Sequence, residues 1–184
     1  MKRLINIVLF MSLSLVADNE ISVTQSGNSA AIDLEQQGGS NLIGGTSAET
    51  GSMTALDLDG VSMILDINQI GASNIFRSDA IDGDNFTGFF EFTGDSNVFD
   101  ILMDSTGLID SDYVNMNINV TGSSNTFDLA VAEDDDASYL DLDWIITGGS
   151  NAFDFDIDYA NAINYVDVNG SSNTINFSGS GYAG

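Results

Sequence analysis

The chain has 184 residues, with 28 acidic side chains, 3 basic ones and no His, Cys or Pro. This composition excludes disulfides, Cys-based zinc sites, thiol chemistry and His-based acid–base catalysis. A net charge of −25 argues against nucleic acid or an anionic membrane surface as a partner. A hydrophobic content of 43% and a mean hydropathy of +0.08 are too high for an acidic disordered tail, so we expect a folded core.

Residues 1–17, MKRLINIVLFMSLSLVA, have the pattern of a secretory signal peptide. Lys2 and Arg3 form the charged start, an apolar run follows, and Ala17 offers a small residue for cleavage. The alternatives are an uncut membrane anchor or a buried helix, but the run is short for a transmembrane span. Cleavage would leave Arg77 as the one cation against 28 acidic residues, a net charge of −27. We therefore expect a secreted or cell-surface product with no membrane insertion after cleavage.

The phrase Gly-x-Ser-Asn occurs six times along the rest of the chain. Its glycines are Gly38, Gly71, Gly94, Gly122, Gly148 and Gly170. Its asparagines are Asn41, Asn74, Asn97, Asn125, Asn151 and Asn173, at spacings of 33, 23, 28, 26 and 22 residues. A shorter relative, Gly27-Asn28-Ser29, precedes the first copy, and Gly83-Asp84-Asn85 is a degenerate candidate. A phrase recurring at such intervals indicates a stack of similar supersecondary units.

Apolar residues alternate with polar ones on both sides of each phrase. Two residues after the Asn stand Ile43, Phe76, Phe99, Phe127, Phe153 and Ile175. Four residues before the Gly stand Leu34, Ile67, Phe90, Ile118, Trp144 and Val166. This period of two is typical of strands with one buried face. It predicts an all-β solenoid of about six or seven strand-turn-strand rungs over residues 18–177, followed by a Gly/Ser-rich tail at 178–184. The absence of Pro agrees, since every strand must donate to its neighbours.

The phrase itself predicts a turn. Gly supplies a positive φ without steric cost, while Ser and Asn can bond the backbone at a bend. Each Asn shares its parity with the buried positions, so we expect it to point inward and to bond main-chain groups and the Asn of the next rung. A plain turn-forming role is the alternative.

Glutamine extends the phrase in the first half of the chain. The segment Ile21–Asn41 contains Gln25-Ser26-Gly27 and Gln36-Gln37-Gly38-Gly39-Ser40-Asn41, and Gln69 opens the same phrase again before Gly71. These segments resemble the curlin repeat of curli-type bacterial amyloid subunits. The resemblance implies a β-solenoid with inward ladders of Gln (Gln25, Gln36, Gln69) and Asn, in a secreted subunit that stacks into extracellular fibres of a biofilm matrix. From Gly94 onward the Gln position holds Phe92, Val120, Ile146 and Val168, which predicts an apolar core there.

An outward row lies three residues after each Asn. It runs Gly44, Arg77, Asp100, Asp128, Asp154 and Asn176. In register, its carboxylates stack about 5 Å apart, and Arg77 is expected to pair with Asp100. This spacing is shorter than the physiological Debye length of about 8 Å, so salt alone does not remove the repulsion between neighbouring carboxylates. We expect either bound divalent ions or a stagger that separates the row to relieve it.

Divalent cations would be one source of that relief. No cofactor is required, but Ca²⁺ or Mg²⁺ could use oxygen ligands of this kind. Candidate metal residues are Asp100, Asp128 and Asp154, Asp82 and Asp84, and the run Asp134, Asp135 and Asp136. Neither a complete EF-hand loop nor the Gly-Gly-x-Gly-x-Asp nonapeptide is present. A solvated acidic face is the alternative.

No pattern favours catalysis. Glycosidase carboxylates would need basic or aromatic subsites, and ice binding would need longer Thr rows than Thr93, Thr121 and Thr147 provide. We therefore expect a structural homo-oligomer that self-assembles through its end rungs and is not an enzyme. The alternative is a monomeric or cell-attached acidic β-solenoid, an adhesin or binding module dependent on divalent cations. Capped end rungs would favour the alternative, and open ones the fibre subunit.

Overall fold

The computed structural model describes residues 6–11, 20–44, 56–103, 112–131, 138–158 and 161–180. In these ranges the chain forms β-strands and turns, and no helix. The strands are β1 (Asn6–Met11), β2 (Glu20–Ile21), β3 (Thr24–Ser26), β4 (Ala31–Gln37), β5 (Leu42–Ile43), β6 (Leu56–Asp59), β7 (Ile64–Ile70), β8 (Ile75–Asp82), β9 (Thr87–Thr93), β10 (Val98–Met103), β11 (Val114–Thr121), β12 (Thr126–Val131), β13 (Leu140–Thr147), β14 (Ala152–Asp158), β15 (Ala162–Asn169) and β16 (Thr174–Ser180).

The strands form two parallel sheets. The first sheet has seven strands in the order β1-β4-β7-β9-β11-β13-β15. The second has nine, with the path β16-β14-β12-β10-β8-β5-β2 and with β3 and β6 joined beside β8. Each Gly-x-Ser-Asn turn joins a strand of the first sheet to one of the second. The prediction of an all-β solenoid is confirmed.

Burial follows the period of two that the sequence shows. On β13, Leu140, Leu142, Trp144 and Ile146 are at most 1% exposed, and the residues between them face outward. Strands pair residue for residue, so each buried position repeats on the next rung. The solenoid therefore encloses one continuous core along its axis.

Aromatic rings fill the middle of that core. The rings of Phe99, Phe127 and Phe153 stack along the axis, with centroid distances of 4.4 and 4.9 Å between neighbours. These distances match the spacing of the strands, about 4.8 Å. Trp144 meets Phe155 edge to face at 4.4 Å. The positions Phe92, Val120 and Ile146 are also buried, as expected for the apolar half of the chain.

One irregularity interrupts the second sheet. Leu56 pairs with Ser78 but Asp57 pairs with Ala80, so β8 bulges between them. The buried Ser78 compensates with its hydroxyl, which accepts a hydrogen bond from the Leu102 N–H at 2.8 Å and donates to the Leu102 carbonyl at 3.2 Å. The side chain thus replaces ladder bonds that the bulge removes.

The predicted leader and the predicted C-terminal tail both contribute residues to strands. Residues 6–11, inside the predicted leader, form β1 and pair in parallel with β4 from Asn6↔Ala31 to Met11↔Gln36. At the other end, β16 continues to Ser180, so the first three residues of the predicted tail belong to the solenoid. They do so because β14 runs to Asp158 and offers them a partner. Cleavage of the leader stays a prediction.

The Gly-x-Ser-Asn turns, called the Asn corners below, stack directly on one another. Five of their glycines have φ between 125° and 141°, and their serines have φ between 58° and 60°. A Cβ added at Gly71, Gly94, Gly122 or Gly148 would overlap the carbonyl oxygen of the glycine one rung earlier. The glycines are therefore required by close approach of the backbones as well as by φ.

We predict that Gly122→Ala destabilises the fold by about 2–5 kcal/mol, because it adds a steric clash to an unfavourable φ. Gly27→Ala is the matched control: its φ is 124°, but nothing lies within 4 Å of an added Cβ. It should cost about 1–3 kcal/mol. Urea unfolding followed by Trp144 fluorescence measures the free energy of unfolding of both variants. Equal losses of stability would contradict the close backbone contact at Gly122.

Candidate functional site

The inward asparagines form a continuous hydrogen-bonded ladder. The backbone N–H of each Asn donates to the side-chain Oδ1 of the Asn one rung later, from Asn41 through to Asn173, at 2.8–3.0 Å. Asn151 and Asn173 also donate from Nδ2 to the carbonyls of Gly122 and Gly148. Five of the six asparagines are at most 2% exposed, and Asn173, on the last rung, is half-buried.

The glutamines do not form one ladder. Gln36 and Gln69 are both buried, and Gln69 Nε2 donates to Gln36 Oε1 at 2.9 Å. Gln25 lies elsewhere, on β3, where it is in register with Leu58. The structure therefore separates Gln25 from the two glutamines with which the sequence grouped it.

The structure contains a second set of corners, of which the sequence indicated those at Gly27 and Gly83. The turns at Gly27–Ser29, Gly60–Ser62 and Gly83–Asn85, called the return corners below, repeat the backbone of the Asn corners. Their third residue again has a positive φ, and Tyr113 and Tyr139 occupy this place on the next two rungs. The inward residue that follows is apolar, as with Met63 and Phe86. Without the Asn, the repeating phrase disappears and only the glycines signal it.

The outward acidic row is in register as expected. Asp100 pairs with Asp128, Asp128 with Asp154, and Asp154 with Asn176. Arg77 stands beside Asp100, with 3.8 Å between Arg77 Nε and Asp100 Oδ2. The two side chains are 30% and 50% exposed, so solvent screens this pair and it contributes about 0–1 kcal/mol to stability.

Stacking perturbs the carboxylates of this row. Burial raises the pKa of Asp128, and the neighbouring charges of Asp100, Asp154 and Asp156 raise it further. Burial also raises the pKa of Asp100, while the Arg77 guanidinium acts in the opposite direction. On the first sheet, burial and the charges of Asp33 and Glu91 raise the pKa of Asp66. The fold therefore holds these protons more tightly than the unfolded chain does.

The remaining metal candidates are dispersed. Asp82 is buried at the end of β8, whereas Asp84 lies in a return corner and accepts the Asp112 N–H at 3.1 Å. Asp134, Asp135 and Asp136 lie outside the described residues. Among the residues that are described, no three acidic side chains are grouped to hold a metal ion. Cation binding stays a prediction.

The C-terminal rung, formed by β15 and β16, is open. Ile175 and Phe177 point into the solenoid yet are 41% and 54% exposed, whereas Phe153 and Phe155, one rung earlier, are at most 2% exposed. Val166 and Val168 on β15 are only half-buried. Nothing in the described ranges covers this end of the core, because β15 and β16 terminate their sheets.

The open rung also presents unpaired backbone groups. Residues along a parallel strand bond alternately to one neighbour and the other. The Thr174 N–H bonds the Asn151 carbonyl on the preceding rung. The N–H groups of Ile175 and Phe177 therefore point away from β14, where no described strand receives them. Ile175 and Phe177 thus expose both apolar side chains and backbone N–H groups that no described strand pairs.

No helix of the described residues could span a membrane. The chain matches no protein-family model, no curated protein and no solved structure. The curlin resemblance accordingly stays a prediction.

We predict that Asn125→Leu destabilises the fold by about 1–3 kcal/mol. The Asn97 N–H would lose the Oδ1 that it bonds at 2.8 Å and would be buried without an acceptor. Asn115→Leu, on the exposed face of β11, is the control and should stay within about 0.5 kcal/mol. Denaturant unfolding measures both, and a neutral Asn125→Leu would rule out an energetic role for the ladder.

We also predict that acidification from neutral pH towards about pH 4, just above the ordinary carboxyl pKa of 3.8, raises the melting temperature. Raised pKa values make the folded state bind more protons than the unfolded state, so stability increases as the pH falls through the folded pKa values. Asp128→Asn removes one charge and thereby the two like-charge contacts with Asp100 and Asp154. It should raise the melting temperature by about 1–4 °C at neutral pH and flatten this dependence. A fall in stability on acidification, or a destabilised Asp128→Asn, would contradict the charge argument.

Proposed function

We propose that the chain is a secreted, non-enzymatic structural subunit that assembles end to end into an extracellular, curlin-like fibre or matrix. The observation that carries the proposal is the C-terminal rung. It exposes the core side chains Ile175 and Phe177 together with the free edges of β15 and β16. A strand edge of this kind templates the addition of another strand.

The opposite end of the solenoid supports the proposal. The edge of β4 accepts β1 as a parallel partner in continuous register. If the leader is removed as predicted, this edge becomes vacant. Ile32, Leu34 and Gln36, which face the core, would then be available to the C-terminal rung of a second copy.

Continuing the register across the junction pairs compatible residues. On the first sheet, Val166 would stack on Leu34 of the second copy, as equivalent positions do within the chain. On the second sheet, Ile43 of that copy already pairs with Ile21 of β2, so β16 would reach it by displacing β2. Asp167 above Glu35 would be the like-charged pair on the first-sheet side of this junction. On the second sheet, the row of stacked aspartates ends at Asn176, before the interface.

The test uses the chain from residue 18 onward. We expect fibres by electron microscopy and thioflavin fluorescence, with Phe177→Asp abolishing or strongly slowing their growth because it places a charge in the junction. Phe89→Asp is the matched control: Phe89 is 45% exposed but lies on the outer face of β9, so fibre growth should persist.

Three outcomes bear on the choice of function. Fibres from the wild-type chain and from Phe89→Asp, but not from Phe177→Asp, support end-to-end assembly. Equal growth of both variants would place the contact elsewhere on the solenoid. A folded monomer throughout, with and without Ca²⁺, would contradict the fibre subunit and favour the acidic binding module.

A further inference from the structure

Two tyrosines occupy an unusual backbone position. In the return corners, the residue with positive φ is Ser29, Ser62 or Asn85 on three rungs, then Tyr113 and Tyr139 on the next two, with φ of 57–66° throughout. Small residues and Asn tolerate this conformation, whereas a bulky side chain there is an outlier. The corner itself does not require an aromatic ring, because the other rungs form it without one.

Burial does not explain the tyrosines either. Their rings are 56% and 52% exposed, so they contribute little to the core. Instead they stack on each other, with centroids 4.8 Å apart and ring planes within 6° of parallel. The backbone fixes this arrangement, since the Tyr113 N–H bonds the Ser138 carbonyl at 2.8 Å and the Val114 N–H bonds the Tyr139 carbonyl at 3.0 Å. Strain without burial points to a role for the exposed pair.

We propose that Tyr113 and Tyr139 are a modification site, where oxidation joins the two rings in a dityrosine cross-link between neighbouring rungs. The inference is independent of fibre assembly, because both residues belong to one chain and to rungs that precede the C-terminal rung. Its co-reactant is a peroxide, used through a haem peroxidase or a comparable one-electron oxidant.

The chemistry balances with that oxidant. Each phenol loses one electron and its O–H proton to become a tyrosyl radical. The two radicals form one carbon–carbon bond between the positions ortho to oxygen, and each ring then returns to a phenol by moving the hydrogen of that carbon to its oxygen. The protein loses two hydrogen atoms overall, while one hydrogen peroxide takes up two electrons and two protons to give two waters.

Proximity makes this pair the favoured reactants. Two groups held together react as if at very high concentration, so coupling within the chain should outrun coupling between chains. Tyr165 offers the contrast: it is 58% exposed, but its register partner on β13 is Asp143. The bond would close a covalent loop across the corner and restrict the unfolded chain, so the product should melt at a higher temperature.

The test treats the dilute full chain with hydrogen peroxide and horseradish peroxidase. Dityrosine fluorescence reports the product, and mass spectrometry after digestion at aspartate identifies the linked peptides. We expect one intramolecular link between Tyr113 and Tyr139, with a yield independent of protein concentration. Tyr113→Phe keeps the stacked ring but lacks the phenol, and should lower the yield by at least about tenfold. Tyr165→Phe should leave it unchanged.

Other results would overturn the proposal. Equal yields in Tyr113→Phe and the wild type would show that other tyrosines react. A yield that rises with protein concentration would show coupling between chains. Absence of product, under conditions that couple a tyrosine dipeptide, would show that the stack is structural only. Circular dichroism spectra matching the wild type would confirm that each variant is folded.

Discussion

The whole architecture depends on corners that stack in register with no room for a side chain between them. At Gly122, as at the other stacked glycines, the carbonyl of the preceding rung occupies the space that a Cβ would need. This contact fixes the distance between rungs. It aligns the Asn97 N–H with Asn125 Oδ1 at 2.8 Å and brings Phe99 over Phe127 at 4.4 Å. The Asn ladder, the stacked core and the pairing of the sheets are thus all consequences of the close approach of glycine backbones on successive rungs.

The same register also stacks like charges on the outer face, and their repulsion opposes folding. Where Asn stands on Asn inside the solenoid, Asp128 stands between Asp100 and Asp154 outside it. Burial of a continuous apolar core offsets this repulsion within the chain. The row gives way to Asn176 on the C-terminal rung and to Arg77 at its other end, so the repulsion is greatest in the middle of the solenoid. The stacked charges therefore destabilise the middle of the solenoid more than they destabilise the open C-terminal rung.

The sequence predicted the strands and Asn corners because their chemistry recurs on every rung: Gly for the approach, Asn for the ladder and an apolar residue two places on. It indicated only two of the return corners, at Gly27 and Gly83, because their inward residues, such as Phe86 and Met63, vary with local packing and leave no complete phrase. It also grouped Gln25 with the ladder, since spacing alone does not reveal that β3 pairs beside Leu58. Composition suggested a tail at Ser178, whereas the length of β14 determines where β16 ends.

Residue-resolved hydrogen exchange, on the chain from residue 18 before and after assembly, tests the central claim most directly. The amides of Asn97 and Asn125 should be protected in both states, because their ladder bonds lie inside the subunit. The amides of Ile175 and Phe177 should exchange rapidly in the monomer and become protected in the fibre. Protection of those two amides in the monomer, or continued rapid exchange in the fibre, would contradict an open C-terminal rung that serves as the assembly surface.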